Sequence, residues 1–200
     1  MKRTVLVTLI AMTIMPAAFA GHKVRVPRPV VAVCLSNPPA PNYAVSRTVA
    51  SVIFAHIGIE LAWHDTRHCP ADALQITMAE NTPPGVGPGV LAYALPYEGT
   101  HIVVFLSRIQ NSVSKDLEPV LLGHVFAHEI THILQGCTHH SDSGLMKAHW
   151  TAGDYGRMAR QSLSFTLEDI DLIHDGMAHR SASRAAKQYD SETEGLGDGQ

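Results

Sequence analysis

The chain has no internal repeat, no basic stripe and no apolar run, its N-terminal one included, long enough to span a bilayer comfortably as a permanent helix. The first absence argues against a repeat array. The second, with 15 Lys and Arg against 18 Asp and Glu, argues against nucleic acid or an anionic membrane as partner. The third excludes a stable membrane anchor. Cysteine is scarce too: Cys34, Cys69 and Cys137 permit one bridge and leave one thiol over. Cys34 with Cys69 is the expected pair, because both sit at the ends of predicted early strands, whereas Cys137 falls in a histidine-rich stretch. With these classes set aside, a peptide or small molecule is the expected partner and a monomer the expected state.

What is present begins with Met1-Lys2-Arg3, an apolar stretch from Thr4 to Met15, then Pro16 and the small-residue site Ala18-Phe19-Ala20. This is the layout of a secretory signal peptide, so residues 1–20 are expected to be removed and the chain to be secreted or periplasmic. An oxidising destination agrees with a disulfide. Residues 21–179 are long enough for one buried domain and short for two. From Arg180 the chain is polar and aperiodic, and a disordered tail is expected over 180–200.

Hydrophobic periodicity places the elements in between. Val30 to Leu35 reads as a strand stopped by Asn37-Pro38-Pro39, and Val45 to Ile57 as a helix stopped by Gly58. Ile59 to Trp63 and Ala73 to Met78 read as strands. After a loop rich in Pro and Gly, Val90 to Leu95 and His101 to Leu106 flank Pro96-Tyr97-Glu98-Gly99 as a hairpin. The polar run Asn111 to Asp116 offers N-caps for a long helix with Pro119 in its first turn, ending at Gln135 with Gly136 as left-handed cap. A loop is expected from Cys137 to about Leu163, then a last helix with Thr166 as N-cap and Asp169 at the capping-box position. The fold class is thus α+β, with about five strands in a mixed sheet and three main helices.

His128-Glu129-Ile130-Thr131-His132 carries the chemistry. On a helix, residues four apart share a face, so both imidazoles reach one cation while Glu129 points at the water beside it. Thirteen histidines make the five-residue pattern only moderately specific, and its setting adds the rest. It lies in an apolar helical stretch and is followed by Gly136, His139, His140 and Ser141, so a third ligand is at hand. A thiolate from Cys137 would close the open position that catalysis needs.

From His128 through Gly136, His139, His140 and Ser141 to Gly144-Leu145-Met146, the stretch resembles the metzincin clan of zinc peptidases, and its matrixin branch above all. The resemblance implies a compact metzincin-like domain with a mostly parallel sheet and bound Zn²⁺. His128 and His132 would be ligands, Glu129 the general base, and Met146 the methionine of the turn beneath the metal. His140 is the preferred third ligand because Ser141 follows it, with His139 as the alternative. In the usual pattern the glycine stands three and the third histidine six residues after the second ligand. Here Gly136 stands four, His139 seven and His140 eight residues beyond His132, so the turn is longer. No cysteine-containing inhibitory propeptide motif precedes the first strand. The resemblance also implies that the Val90–Leu95 strand holds an extended substrate.

The expected activity is therefore zinc-dependent hydrolysis of a peptide or protein. Rival readings are a zinc hydrolase acting on a cell-wall peptide or other amide, and a zinc- or peptide-binding module without turnover; Glu129 argues against the last. His124 lies on the same helical stripe, one turn before His128, as a supporting or simply buried residue. His149 and Tyr155 are candidates for contact with a substrate oxyanion. His56, His64, His68, His101, His174 and His179 show no ligand-like spacing.

Overall fold

The structure is a computed structural model and describes residues 28–36, 43–97 and 99–194. The signal-peptide segment 1–20 lies outside the described residues. Five strands form one sheet: β1 (Val30–Ser36), β2 (Glu60–His64), β3 (Leu74–Ala79), β4 (Ala92–Ala94) and β5 (His101–Phe105), in the order β2-β1-β3-β5-β4. All pairings are parallel except that of β4 with β5. The inner strands β1 and β3 carry apolar residues on alternating buried positions, and each needs a crossover to reach its parallel neighbour. The helix α1 (Tyr43–Ala55) provides the first of these. The sheet and its mostly parallel order agree with the sequence expectation.

Cys34 of β1 is bonded to Cys69, which follows a short 3-10 turn at Thr66–His68, and Cys137 is free. The bridge therefore ties the inner strand β1 to the loop leading into β3. Two short helices are absent from the sequence reading. The helix α2 (Leu106–Ser112) continues directly from β5, because Leu106 and Ile109 fall on one helical face and are buried. The helix α4 (Ala152–Met158) starts at a capping box in which the Thr151 side chain takes the Asp154 N–H and the Asp154 side chain takes the Thr151 N–H.

The long helix α3 (Glu118–Gln135) has Pro in its first turn and ends at Gly136, whose φ of 69° is left-handed and whose N–H reaches His132 O. Every residue from Leu121 to Gln135 is buried, so α3 is the core around which the rest packs. Phe126 and Ile130 are completely buried there, and each side chain so removed from water contributes about 2 kcal/mol.

The last helix, α5 (Leu167–Glu194), begins at the expected Thr166 and Asp169 capping box, with Thr166 N–H to Asp169 Oδ2 at 2.8 Å and Asp169 N–H to Thr166 Oγ1 at 3.1 Å. It does not give way to a disordered tail at Arg180. The helix runs on to Glu194, anchored just past the expected boundary where Arg180 donates to Gly99 O at 2.7 Å and Arg184 pairs with Asp72 at 2.7 Å; the rest of the expected tail, 195–200, lies outside the described residues. Both anchors are long-range and leave no mark in local periodicity.

Gly176 lets α5 cross the end of α3 in backbone contact: a Cβ there would stand 2.0 Å from Leu134 O and 2.9 Å from Gln135 Cα. Neither is a movable side-chain tip, so the helices must separate to admit a methyl group. Gly176→Ala is expected to cost about 3 kcal/mol and roughly 10 °C in Tm, measured by thermal unfolding.

Candidate metal centre and cleft

Polar side chains inside a fully buried helix persist only where something satisfies them. His124 is satisfied entirely by backbone: its Nδ1–H donates to Val120 O at 2.8 Å, and its Nε2 accepts the Leu163 N–H at 3.1 Å. Both ring nitrogens are committed, so His124 is a tether for the chain ahead of α5 and not a ligand. Burial lowers its pKa below the ordinary histidine value, in keeping with a neutral ring.

His128 and His132 are held differently. The Nδ1 of His128 lies 3.0 Å from Leu145 O, and that of His132 lies 3.2 Å from Cys137 O. A carbonyl oxygen only accepts, so both rings carry their hydrogen on Nδ1. Their Nε2 lone pairs then face each other at 3.1 Å with no proton between them. Burial pushes the pKa of His128 down to about 4 and that of His132 to about 3, the neighbouring histidines adding to the fall. At neutral pH two bare nitrogens thus converge on one point.

His140 completes the group from beyond the Gly136 bend. Its ring centroid lies 4.8 Å from that of His132 and 5.3 Å from that of His128, and one nitrogen from each of the three falls within 4.8 Å of the others. His139 turns the other way, with Nε2 3.9 Å from Asp169 Oδ1 and 3.5 Å from Ser141 Oγ. The structure therefore brings His128, His132 and His140 together and leaves His139 against α5.

The bend that presents His140 is pinned at several points. Ser141 Oγ donates to the fully buried Asp169 at 2.5 Å, and its N–H donates to Met146 O at 2.8 Å. Leu145 N–H reaches Ser164 O at 2.8 Å, while Leu145 and Met146 are completely buried. Trp150, which the sequence reading did not single out, donates its indole N–H at 3.2 Å to the same Leu145 carbonyl that orients His128. Its ring stands edge-on to that of His128 at 5.5 Å.

Asp154 fixes the chain beyond. Burial alone raises its pKa, but hydrogen bonds from Lys147, Thr151 and Arg157 outweigh burial and hold the carboxyl well below the usual range. The spacing of Thr151 and Asp154 was a readable capping signal for this part of the site.

These residues border a cleft of about 620 Å³. One wall is the chain from Gly89 to Ala94, the floor is His128, Glu129 and His132, and Trp150 and Tyr155 also border the cleft. His149 lines it as well. Glu129 is only 7% exposed, and burial pushes its carboxyl up to about 8. The histidines at 56, 64, 68, 101, 174 and 179 do not line the cleft.

Three neutral imidazoles at the floor of an open cleft form a donor set suited to zinc, with two ring orientations already fixed by backbone acceptors. With the sheet and this floor established, the comparison with solved structures becomes informative. The fold is similar to that of an archaemetzincin. The crystal structure of archaemetzincin from Methanopyrus kandleri superposes with a TM-score of 0.53, covering 76% of this chain and 96% of that one at 12% identity. At that identity the likeness is one of fold. No known family pattern matches the chain, and no curated protein matches it in sequence.

In this archaemetzincin-like fold, β4 is an edge strand beside the floor. Leu91 O accepts the Phe105 N–H and Leu95 N–H reaches His101 O, so the alternate peptide groups of Ala92 and Ala94 face away from β5. Among the described residues, an open hydrogen-bonding edge thus borders the histidine cluster.

Proposed function

We propose that the protein is an exported zinc metallopeptidase of matrixin-like type, with His128, His132 and His140 as metal ligands and Glu129 as general base. The carrying observation is the pair of bare Nε2 atoms, held 3.1 Å apart by backbone acceptors, beside a third imidazole and a buried carboxyl in one cleft. Two such facing lone pairs repel each other, and a cation held by both nitrogens would relieve that repulsion.

Zinc bound there supplies a Lewis-acidic charge that polarises a carbonyl and acidifies water. Glu129 takes the proton of the attacking water and hands it to the departing amine. Its carboxyl, which burial alone pushes up to about 8, would be drawn back toward the ionised form by a divalent cation held on the three histidines. The open edge of β4 supports binding of an extended peptide by strand addition. His149 and Tyr155 border the same cleft and are available to the developing oxyanion. Ser141 after His140, and Leu145-Met146 at the bend, support the matrixin-like reading. The N-terminal pattern and the Cys34–Cys69 bridge support export.

The test is incubation of the purified protein with an unfolded protein, with and without chelator. Cleavage that chelator abolishes and added zinc restores is the expected outcome. Tight zinc without cleavage of any peptide would leave a binding module, and turnover of a cell-wall peptide or other amide alone would leave the non-protein hydrolase.

A further inference from the structure

Between β3 and β4, residues 80–91 form neither helix nor strand, yet their far end becomes the cleft wall at Gly89, Val90 and Leu91. Pro83, Pro84 and Pro88 have no N–H to give, so this stretch makes few backbone bonds of its own. Loops of this length without internal structure are uncommon in compact domains unless they serve a function or are held from outside. Its ends are attached at Ser107 N–H to Glu80 O, 3.3 Å, and at Phe105 N–H to Leu91 O, 2.9 Å.

Its middle is held by one side chain. Arg108, on α2, donates from Nη1 to Gly87 O and Val90 O at 2.6 Å each, and from Nη2 to Val86 O at 3.1 Å. The guanidinium also lies over the Phe105 ring, 5.6 Å from its centroid. Three carbonyls of an irregular segment thus point at one planar cation, which meets them with charge-assisted bonds. Arg108 itself does not line the cleft.

We infer that Arg108 is a positioning residue for the substrate: by clasping the carbonyls of Val86, Gly87 and Val90 it sets the place of the wall that leads into β4. The site it serves takes an extended polypeptide laid along Ala92 and Ala94, and in that respect the inference rests on the peptidase reading. Without the clasp, residues 86–91 gain freedom that an incoming strand must remove on binding, a penalty paid in affinity and not at the bond being cut. The histidines and Glu129 stand on α3 and beyond Gly136, so the loss does not reach them. A lysine at 108 keeps the charge but lacks the planar fork, and restores the clasp only in part.

The experiment compares wild type, Arg108→Ala and Arg108→Lys in three measurements: bound zinc, steady-state cleavage, and amide hydrogen exchange over residues 86–92. In Arg108→Ala, zinc content is expected to stay unchanged and exchange to quicken. KM for an extended unfolded peptide should rise about tenfold with kcat within about twofold, in line with lost charge-assisted bonds. A blocked dipeptide that does not reach β4 should be cleaved as before, and Arg108→Lys should fall between the two. Unchanged exchange and KM would overturn the inference, as would a joint fall of kcat and zinc content, which would mark general damage. Should wild type itself cleave no peptide, the peptidase reading and the substrate role fall together, while the exchange measurement still decides whether the clasp exists.

Discussion

Glu129→Gln should keep its zinc and lose nearly all peptide hydrolysis. The amide preserves the shape of the side chain at a site that is 7% exposed, so packing around His128 and His132 is undisturbed. It also removes a carboxyl that burial penalises, so stability should not fall. What disappears is the proton acceptor, and general-base catalysis of this kind contributes about a thousandfold. The measurement pairs metal content by elemental analysis with turnover of an unfolded protein substrate. Wild-type turnover by the variant would remove Glu129 from the mechanism.

Replacing His140 by Ala should strip the metal, and replacing His139 should not. The sequence places the two side by side, so substituting each separately is a matched comparison. His140 brings its ring within 4.8 Å of that of His132, whereas His139 faces Asp169 and Ser141. Losing a group that only orients a ligand costs about 10–100-fold in metal affinity, and losing the ligand itself should cost more. Zinc titration against a competing chelator distinguishes the two variants. Metal loss confined to His139→Ala would overturn the proposed ligand set, and with it the centre that Glu129 is proposed to serve.

Much of the fold is legible because its signals are local. The strands from Val30, Ile59 and Ala73, the α3 helix with Pro119 near its start and Gly136 at its end, and the Thr166–Asp169 capping box all follow from neighbouring residues. The short helices were harder for opposite reasons. Leu106 and Ile109 of α2 follow a β-branched run that reads as strand to its last residue. In α4, two glycines and a single buried apolar residue, Met158, leave too little periodicity to register. There the capping box was the available signal. The anchors of α5 at Arg180 and Arg184 are Gly99 and Asp72, far away in the chain, and no window of local sequence contains them.

The site divides along the same line. By itself the sequence determined that two imidazoles share a face of a buried helix with a carboxylate in the position next to the first, since a spacing of four imposes the shared face. It determined, too, that a glycine bend carries further histidines back toward them. Only tertiary structure decided which of those histidines arrives: Asp169, on another helix, takes Ser141 and faces His139, leaving His140 for the cluster. The tautomers of His128 and His132 were likewise decided by the carbonyls of Leu145 and Cys137, and the course of the segment ahead of β4 is held by Arg108. Periodicity is a property of adjacent residues, whereas ring orientation and loop placement depend on hydrogen-bond partners that only the folded chain brings within reach.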